Sequence, residues 1–245
     1  LKYSHKDEMT MDTFDDTVAV ADNDDGFPDG GVQAWRTAIG GFLSFIASIG
    51  YLSGGSVFQS YFKEVVLPDS STSDIAWISS VQIWGCYFFG IWSGTLSDMY
   101  GPALPLALGT FFMVFGNMMS SISTTYYQFL LSQGFCVALG MGLIFTPALA
   151  VQSQWFFKRR GFAVGFVMSG QMVGGMLLPN LNHEAPVIYL HVLSTGIIWP
   201  VVANQLLNFE GISFSWTLRI IAFTQLGIMS ASILLVRPRF RSRIE

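Results

Sequence analysis

Long apolar runs, each bounded by polar or charged clusters, set the pattern of this sequence. Thr37 to Phe62 carries no charge, and neither does Ile75 to Ser97. The 59 residues from Met99 to Phe157 are also uncharged, but a polar stretch from Ser120 to Gln128 divides them. Gly161 to Asn182 and Ile220 to Val236 complete the series. A hydrocarbon core about 30 Å thick takes roughly 20 helical residues to cross. The pattern therefore predicts helices over 37–60, 75–96, 103–122, 128–152, 161–178 and 215–236. The expected fold is an all-α membrane protein, a bundle of six transmembrane helices.

Small residues recur at spacings of four: Gly90 and Gly94, then Gly134, Ala138 and Gly142, then Gly161, Gly165 and Ser169. Such stripes let helices approach closely where lipid supplies no hydrophobic drive.

Composition sharpens this picture. The chain of 245 residues is 51% hydrophobic and 11% charged, against about 25% charged in soluble domains. Residues 1–30 hold nine of the sixteen acids, so the net charge of −4 describes a disordered, acidic tail and not the bundle. Lys2, Lys6 and Arg36 precede the first span, Lys158, Arg159 and Arg160 follow the fourth, and Arg237, Arg239, Arg241 and Arg243 follow the sixth. Only Lys63 falls on the other side, so the positive-inside rule places both termini in the cytoplasm. The expected boundaries are a tail over 1–30, a bundle over 31–236 and the start of a cytoplasmic loop over 237–245.

Candidate chemistry is sparse. Cys86 and Cys136 lie in apolar runs and suit buried thiols. His183, Glu184 and His191 lack a third ligand at metal spacing. No phosphate loop, nucleophile elbow or paired carboxylates appear, so no enzyme activity, cofactor, metal or nucleic-acid partner is expected. Gln59, Gln82, Gln152 and Gln171 stand inside predicted spans, where each joins helices or lines a watery cavity. Arg219 lies one turn into the sixth span; it either snorkels to the interface or meets an anionic solute.

Three stretches lie at predicted span ends. In "DGGVQAW", Asp29 to Trp35, a carboxylate stands beside the start of the first helix, two glycines permit a turn, and Trp35 suits the headgroup layer. "FFKRRGFAVGFVMSG", Phe156 to Gly170, joins the fourth and fifth spans, and "GTLSDMYG", Gly94 to Gly101, joins the second and third. Together these resemble the monocarboxylate-porter family of the major facilitator superfamily, particularly its fungal members. The first matches D/E-G-G/S-x-x-x-W through Asp29, Gly30, Gly31 and Trp35. The second matches aromatic-F-x-R/K-R-x-x-A-x-G-x-x-x-S/A-G through Lys158, Arg159, Arg160, Gly165 and Gly170. The third keeps Gly94, Asp98 and Gly101 of the superfamily loop, with Met99 and Pro102 where bases are usual.

The resemblance implies the N-terminal six-helix half of a secondary transporter for a small organic solute such as a monocarboxylate, working by alternating access in the plasma membrane. Its motif residues are expected to form the cytoplasmic gate, with one base pairing Asp29 or Asp98. A C-terminal half or a second copy would complete the site. Animal members couple to protons through a lysine in the first helix, and this first span has none, so symport is not carried over. The competing reading is a non-transporting half-size membrane protein, whether a pairing subunit or a truncated product. "GMLLP" and "GIIWP" lie 21 residues apart where the family has room for one such turn, so an insert is expected near 177–199.

Overall fold

The computed structural model describes residues 29–53, 55–68, 70–175 and 213–239, together with Trp199, Val202, Ala203 and Leu206. The tail through residue 28, the histidines at 183 and 191, nearly all of the expected insert and residues 240–245 lie outside the described residues. Helices occur in the order α1 (Val32–Ala47), α2 (Ile49–Ser53), α3 (Gly55–Tyr61), α4 (Thr72–Tyr100) and α5 (Ala103–Ser120). Then follow α6 (Tyr126–Phe129), α7 (Val137–Ala150), α8 (Gln152–Trp155), α9 (Arg160–Gly175) and α10 (Phe214–Leu235). π-Helical turns extend α3 over Phe62–Val66 and join α6 to α7 over Leu130–Cys136.

Among the described residues, four stretches are long and apolar enough to cross a membrane: Thr72–Tyr100, Ala103–Ser120, Tyr126–Trp155 and Phe214–Leu235. The first expected span begins earlier, at Val32, and is interrupted at Ser48, a turn residue (φ −96°, ψ −76°) whose N–H still bonds the Ser44 carbonyl. The fifth is described over sixteen residues, α9.

Local chemistry explains the ends of the second and fourth spans. Ser71 Oγ accepts the N–H of Asp74 while Asp74 Oδ2 accepts the N–H of Ser71, a reciprocal cap that starts α4. At α6 Gln128 Oε1 likewise reaches back to the Thr125 N–H, at 3.3 Å, while the Gln128 N–H bonds the Thr125 backbone carbonyl. Pro147 lies inside α7 and has no N–H to give to Leu143. Ser93 Oγ supplies the missing donor, bonding the Leu143 carbonyl at 2.7 Å. Thr146 Oγ1 returns a bond to the Gly90 carbonyl at 2.7 Å, so a proline defect becomes a stitch between α4 and α7.

The stitch works because α7 lies against both α4 and α5. A Cβ on Gly140 would come within 2.6 Å of the Met113 amide nitrogen, and one on Gly142 within 2.7 Å of the Cys86 carbonyl. The expected stripe Gly134–Ala138–Gly142 does face α4. By contrast, a Cβ at Gly161 or Gly165 would meet nothing within 4 Å, so the third stripe makes no packing contact and α9 uses other residues to approach α1. On the far side, α10 packs on α1 and α5, with Ser44 Oγ and Ser232 Oγ 2.6 Å apart.

The bundle is apolar outside, and polar side chains are buried among its apolar core. Trp77, Trp84, Phe111, Leu131, Phe223 and Leu234 are exposed, whereas Ser44, Ser93, Asn117, Gln152, Gln225 and Ser232 are fully buried. In lipid the outward side chains already have an apolar surrounding, and the buried polar ones find backbone carbonyls and one another.

Candidate functional site

The start of α1 and the start of α9 form one junction. Gly31 has φ +93° and ψ 162°, a conformation closed to residues with a Cβ, although space for a Cβ is free there. Asp29 has φ +39°, which Asp tolerates better than most residues. This turn sends the carboxylate away from α1, whose N-terminus receives no side-chain cap. Asp29 Oδ1 instead accepts the backbone N–H groups of Phe157 at 2.7 Å, Lys158 at 2.8 Å and Arg159 at 3.4 Å. The expected cap on the first helix is thus corrected: Asp29 binds the unpaired amides leading into α9, across the bundle. Desolvation pushes this carboxyl up, but the three backbone donors and the nearby Lys158 charge outweigh it and hold it below its ordinary value of 3.8.

Trp35 completes the junction. Its ring meets Phe156 at 5.8 Å, Phe162 at 6.1 Å and Phe166 at 6.1 Å, each edge-to-face. Ala34, Ala38, Phe156 and Ala163 are buried beside it. The ring is half-buried between two helices. Two turns further along α1, Phe42 stacks on Phe166 at 5.0 Å, and a Cβ on Gly170 would overlap the Phe42 carbonyl. The end of α10 joins from the other side: Trp155 Nε1 donates to the Arg237 carbonyl at 2.9 Å, and Gln154 Oε1 accepts the Arg239 N–H at 3.1 Å.

The third motif stays apart. Gly101 ends α4 with φ +82° and donates its N–H to Ser97, while Gly94 lies against Thr146. Asp98 is exposed and has no hydrogen bond or ion pair among the described residues. Lys158, Arg159 and Arg160 are exposed, and what Asp29 takes from this cluster is chiefly its backbone.

The span residues singled out from sequence do not converge. Gln59 Nε2 bonds Ser79 Oγ at 2.8 Å, joining α3 to α4. Gln152 Nε2 donates to the Ala148 and Thr37 carbonyls, joining α8 to α1. Gln171 is half-buried on α9. Arg219 Nε bonds Ser121 Oγ at 3.2 Å, and its guanidinium lies 5.1 Å from the centroid of the outward-facing Trp216. Gln82 is buried on α4, and its Nε2 has no partner among the described residues.

A second polar assembly lies deeper. Gln133 Nε2 donates to Tyr51 Oη at 3.2 Å, and Tyr51 donates to Asn117 Oδ1 at 3.0 Å. Asn117 Nδ2 then bonds Gln225 Oε1 at 2.7 Å, and Gln225 Nε2 reaches the Ala47 carbonyl at 3.1 Å, beside the break in the first span. All four side chains are at most 4% exposed, and they tie four spans together. The rule that flagged Gln82 would also have flagged Gln133, Gln225 and Asn117. Tyr51 gave no such signal, because its ring counts as apolar.

Residues 37–182 match the family model described as Major Facilitator Superfamily. The chain belongs to this superfamily. Among curated relatives of this facilitator chain, the fujikurins efflux protein of Gibberella fujikuroi is 39% identical over 217 residues, covering 89% of this chain and 42% of that protein. The agnestins efflux protein AgnL12 of Paecilomyces divaricatus is 37% identical over 208 residues, 84% of this chain and 42% of the relative. The MFS-type transporter pytF of Aspergillus terreus is 32% identical over 225 residues, 92% of this chain and 68% of that protein. This facilitator chain thus spans less than half the length of the first two relatives and about two thirds of the third. It is a multi-pass integral membrane protein whose relatives carry transporter and efflux names.

Proposed function

We propose that this chain is the N-terminal six-helix half of a monocarboxylate-porter-like secondary transporter that moves a small organic solute across the plasma membrane by alternating access. The two spans beyond the four counted above are α1–α3 and α9; the described sixteen residues of α9 cover about 24 Å at 1.5 Å each. The junction carries the proposal: Asp29 and Trp35 fasten the start of α1 to the start of α9, so the residues at both motifs act as one mechanical unit. A unit of this kind transmits rocking of a half as a rigid body. Arg237 and Arg239 reach the same end through α8, which supports one basic face with both termini on the cytoplasmic side.

The open stripe at Gly161 and Gly165 supports a second wall, from a C-terminal half or another copy, lying against α9. Export is the favoured direction, because relatives are named for efflux of fujikurins and agnestins.

The test is solute flux in reconstituted vesicles, with and without a proton gradient, over a panel of small organic acids and neutral metabolites. Flux above protein-free vesicles, reduced severalfold by Trp35→Ala, is the expected result. Absence of flux for every solute, with the chain recovered in complex with a full-length relative, would replace this reading by that of a pairing subunit.

A further inference from the structure

A cavity of about 290 Å³ lies between the end of α5 and the start of the fourth span. That span finishes with Trp155 at the junction, so its first residue, Tyr126, stands at the opposite membrane surface. Toward the core the cavity is shut by close backbone contact: a Cβ on Gly116 would come within 2.9 Å of the Ser132 carbonyl and 3.0 Å of the Val137 amide nitrogen. Its deepest lining residue in the fourth span, Cys136, donates from Sγ to the Phe112 carbonyl at 3.4 Å. Outward it is open, past Phe115, Ile122 and Tyr127, which are 47%, 61% and 66% exposed. The opening faces lipid. α5 packs on α7 and α10, whereas α9, whose open stripe is proposed above to meet a second wall, packs on α1 and α2.

The cavity is apolar along its length and polar at its surface end. Phe115 stacks on Phe111 at 5.9 Å and 11°, which extends its wall as a flat aromatic strip. At the surface end the Thr124 and Thr125 N–H groups hold Gln128 Oε1, leaving the Nε2 hydrogens to be used. Nε2 reaches Tyr127 Oη only at 3.4 Å, a marginal bond, and the phenol hydrogen has no acceptor among the described residues. No ionised side chain lines the cavity. A phospholipid phosphate would meet no cation there, and its acyl chain would lose many torsions on entering. A neutral hydroxyl on a rigid, flat ring system finds a donor and an acceptor and loses little freedom. Ser132 and Cys136 of the lining stand on the π-helical segment, a widened turn of a kind often found at functional sites.

We infer that this cavity is a sterol site: the hydroxyl lies between Tyr127 Oη and Gln128 Nε2, and the first rings enter between α5 and the fourth span. Size agrees with polarity. The volume of about 290 Å³ is about twice the roughly 150 Å³ that holds one benzene ring. From Phe115 to Ile122 the chain rises roughly 10 Å, less than one leaflet of a core about 30 Å thick. The remaining rings and tail lie along Phe115 and Phe111 toward the bilayer centre. An occupied cavity braces α5 against the fourth span beside the π turn.

The experiment places the chain in phosphatidylcholine nanodiscs and photolabels it with a cholestanol carrying a diazirine on its second ring, the labelled residues being located by peptide mass spectrometry. Saturable labelling within 115–136 is expected. Cholesterol displaces it, and cholesteryl acetate, which has no hydroxyl, does so severalfold less well. Met119→Trp fills the cavity and abolishes the labelling, while Leu226→Trp, at an equally exposed position on α10, leaves it unchanged. Tyr127→Phe raises the half-saturating sterol fraction about fivefold, as for one lost hydrogen bond. Should Met119→Trp fail to fold, Tyr127→Phe carries the test, because it removes one oxygen from an exposed ring. Labelling spread over the outward faces of other spans, equal displacement by the acetate, or indifference to Met119→Trp or Tyr127→Phe overturns the inference. So does a phosphatidylcholine with the diazirine on its acyl chain that labels the same residues and is not displaced by cholesterol, for the cavity then belongs to ordinary lipid. The site needs a bilayer and no transport, so vesicle flux bears on the transporter reading alone.

Discussion

The junction and the deep polar assembly solve the same problem, holding helices from distant parts of the chain in register, with opposite chemistry. At the junction one carboxylate gathers three backbone donors in an exposed setting, and an indole packs beside it. In the assembly, four neutral side chains pass hydrogen bonds from span to span, with no ionised group among the buried residues described. The difference follows solvent depth. A carboxylate near water keeps part of its hydration and gains from oriented amides, whereas in the bilayer the same charge would need a counter-ion the bundle lacks. Amides and a phenol give directionality there without the cost of desolvating a charge.

Three substitutions break or sharpen this contrast. The largest effect is expected from Gly170→Ala, which drives a Cβ into the Phe42 carbonyl, a backbone atom that cannot rotate away. It should part α1 from α9 next to the junction and cost about 3 kcal/mol in unfolding free energy, read by thermal or detergent unfolding. A variant as stable as the parent would show that this helix contact is looser than described.

Next comes Asn117→Leu, which takes the acceptor from the Tyr51 O–H and the donor from Gln225 Oε1 together, leaving Tyr51 only the bond it accepts from Gln133. A loss of about 2 kcal/mol is expected, between the usual penalty for two buried groups and the smaller values found inside membranes. The junction should be untouched, so amide exchange at 157–159 should stay at parental rates. Faster exchange there would mean that the two regions are one cooperative unit.

The smallest global effect belongs to Asp29→Ala. Its unfolding midpoint should barely move, while the Phe157 and Lys158 amides exchange faster. The folded carboxyl is lowered below 3.8, so its contribution is complete above that value and fades as pH falls through the lowered one. The protection lost in Asp29→Ala should thus be constant from pH 5 to pH 8 and shrink only in stronger acid. A change near neutrality would assign the contact to another titrating group.

These regions also differ in how far the sequence revealed them. The junction was legible because its parts form two short motifs at span ends. What escaped was their partnership: Asp29 reads as a cap for the helix it precedes, and nothing local shows that φ values of +39° and +93° turn it toward α9. The four spans of membrane length emerged from charge-free runs, within a few residues at most ends. The break at Ser48 did not, since serine in an apolar run carries no mark of a helix end, and neither did the π turn. The assembly escaped for a different reason. Its members stand at 51, 117, 133 and 225, one on each of four helices, and only packing brings them together. Arg219 drew attention as the lone charge in a span, yet it serves the contact between α5 and α10.

The π segment at Leu130–Cys136 has a consequence for chain length. Its wider turn absorbs an extra residue, so removing one residue there would restore an ordinary helix with the downstream phase nearly kept, whereas a deletion in the first turn of α7 would rotate everything after it by roughly 100°. Gly140 and Gly142 would swing off α5 and α4, and bulkier neighbours would take their places at contacts with no room for a side chain. Leu131 faces outward and can change to another apolar residue freely. A single-codon deletion should therefore be absorbed better within Leu130–Cys136 than in the first turn of α7, where the count of residues is fixed by the glycine contacts that follow.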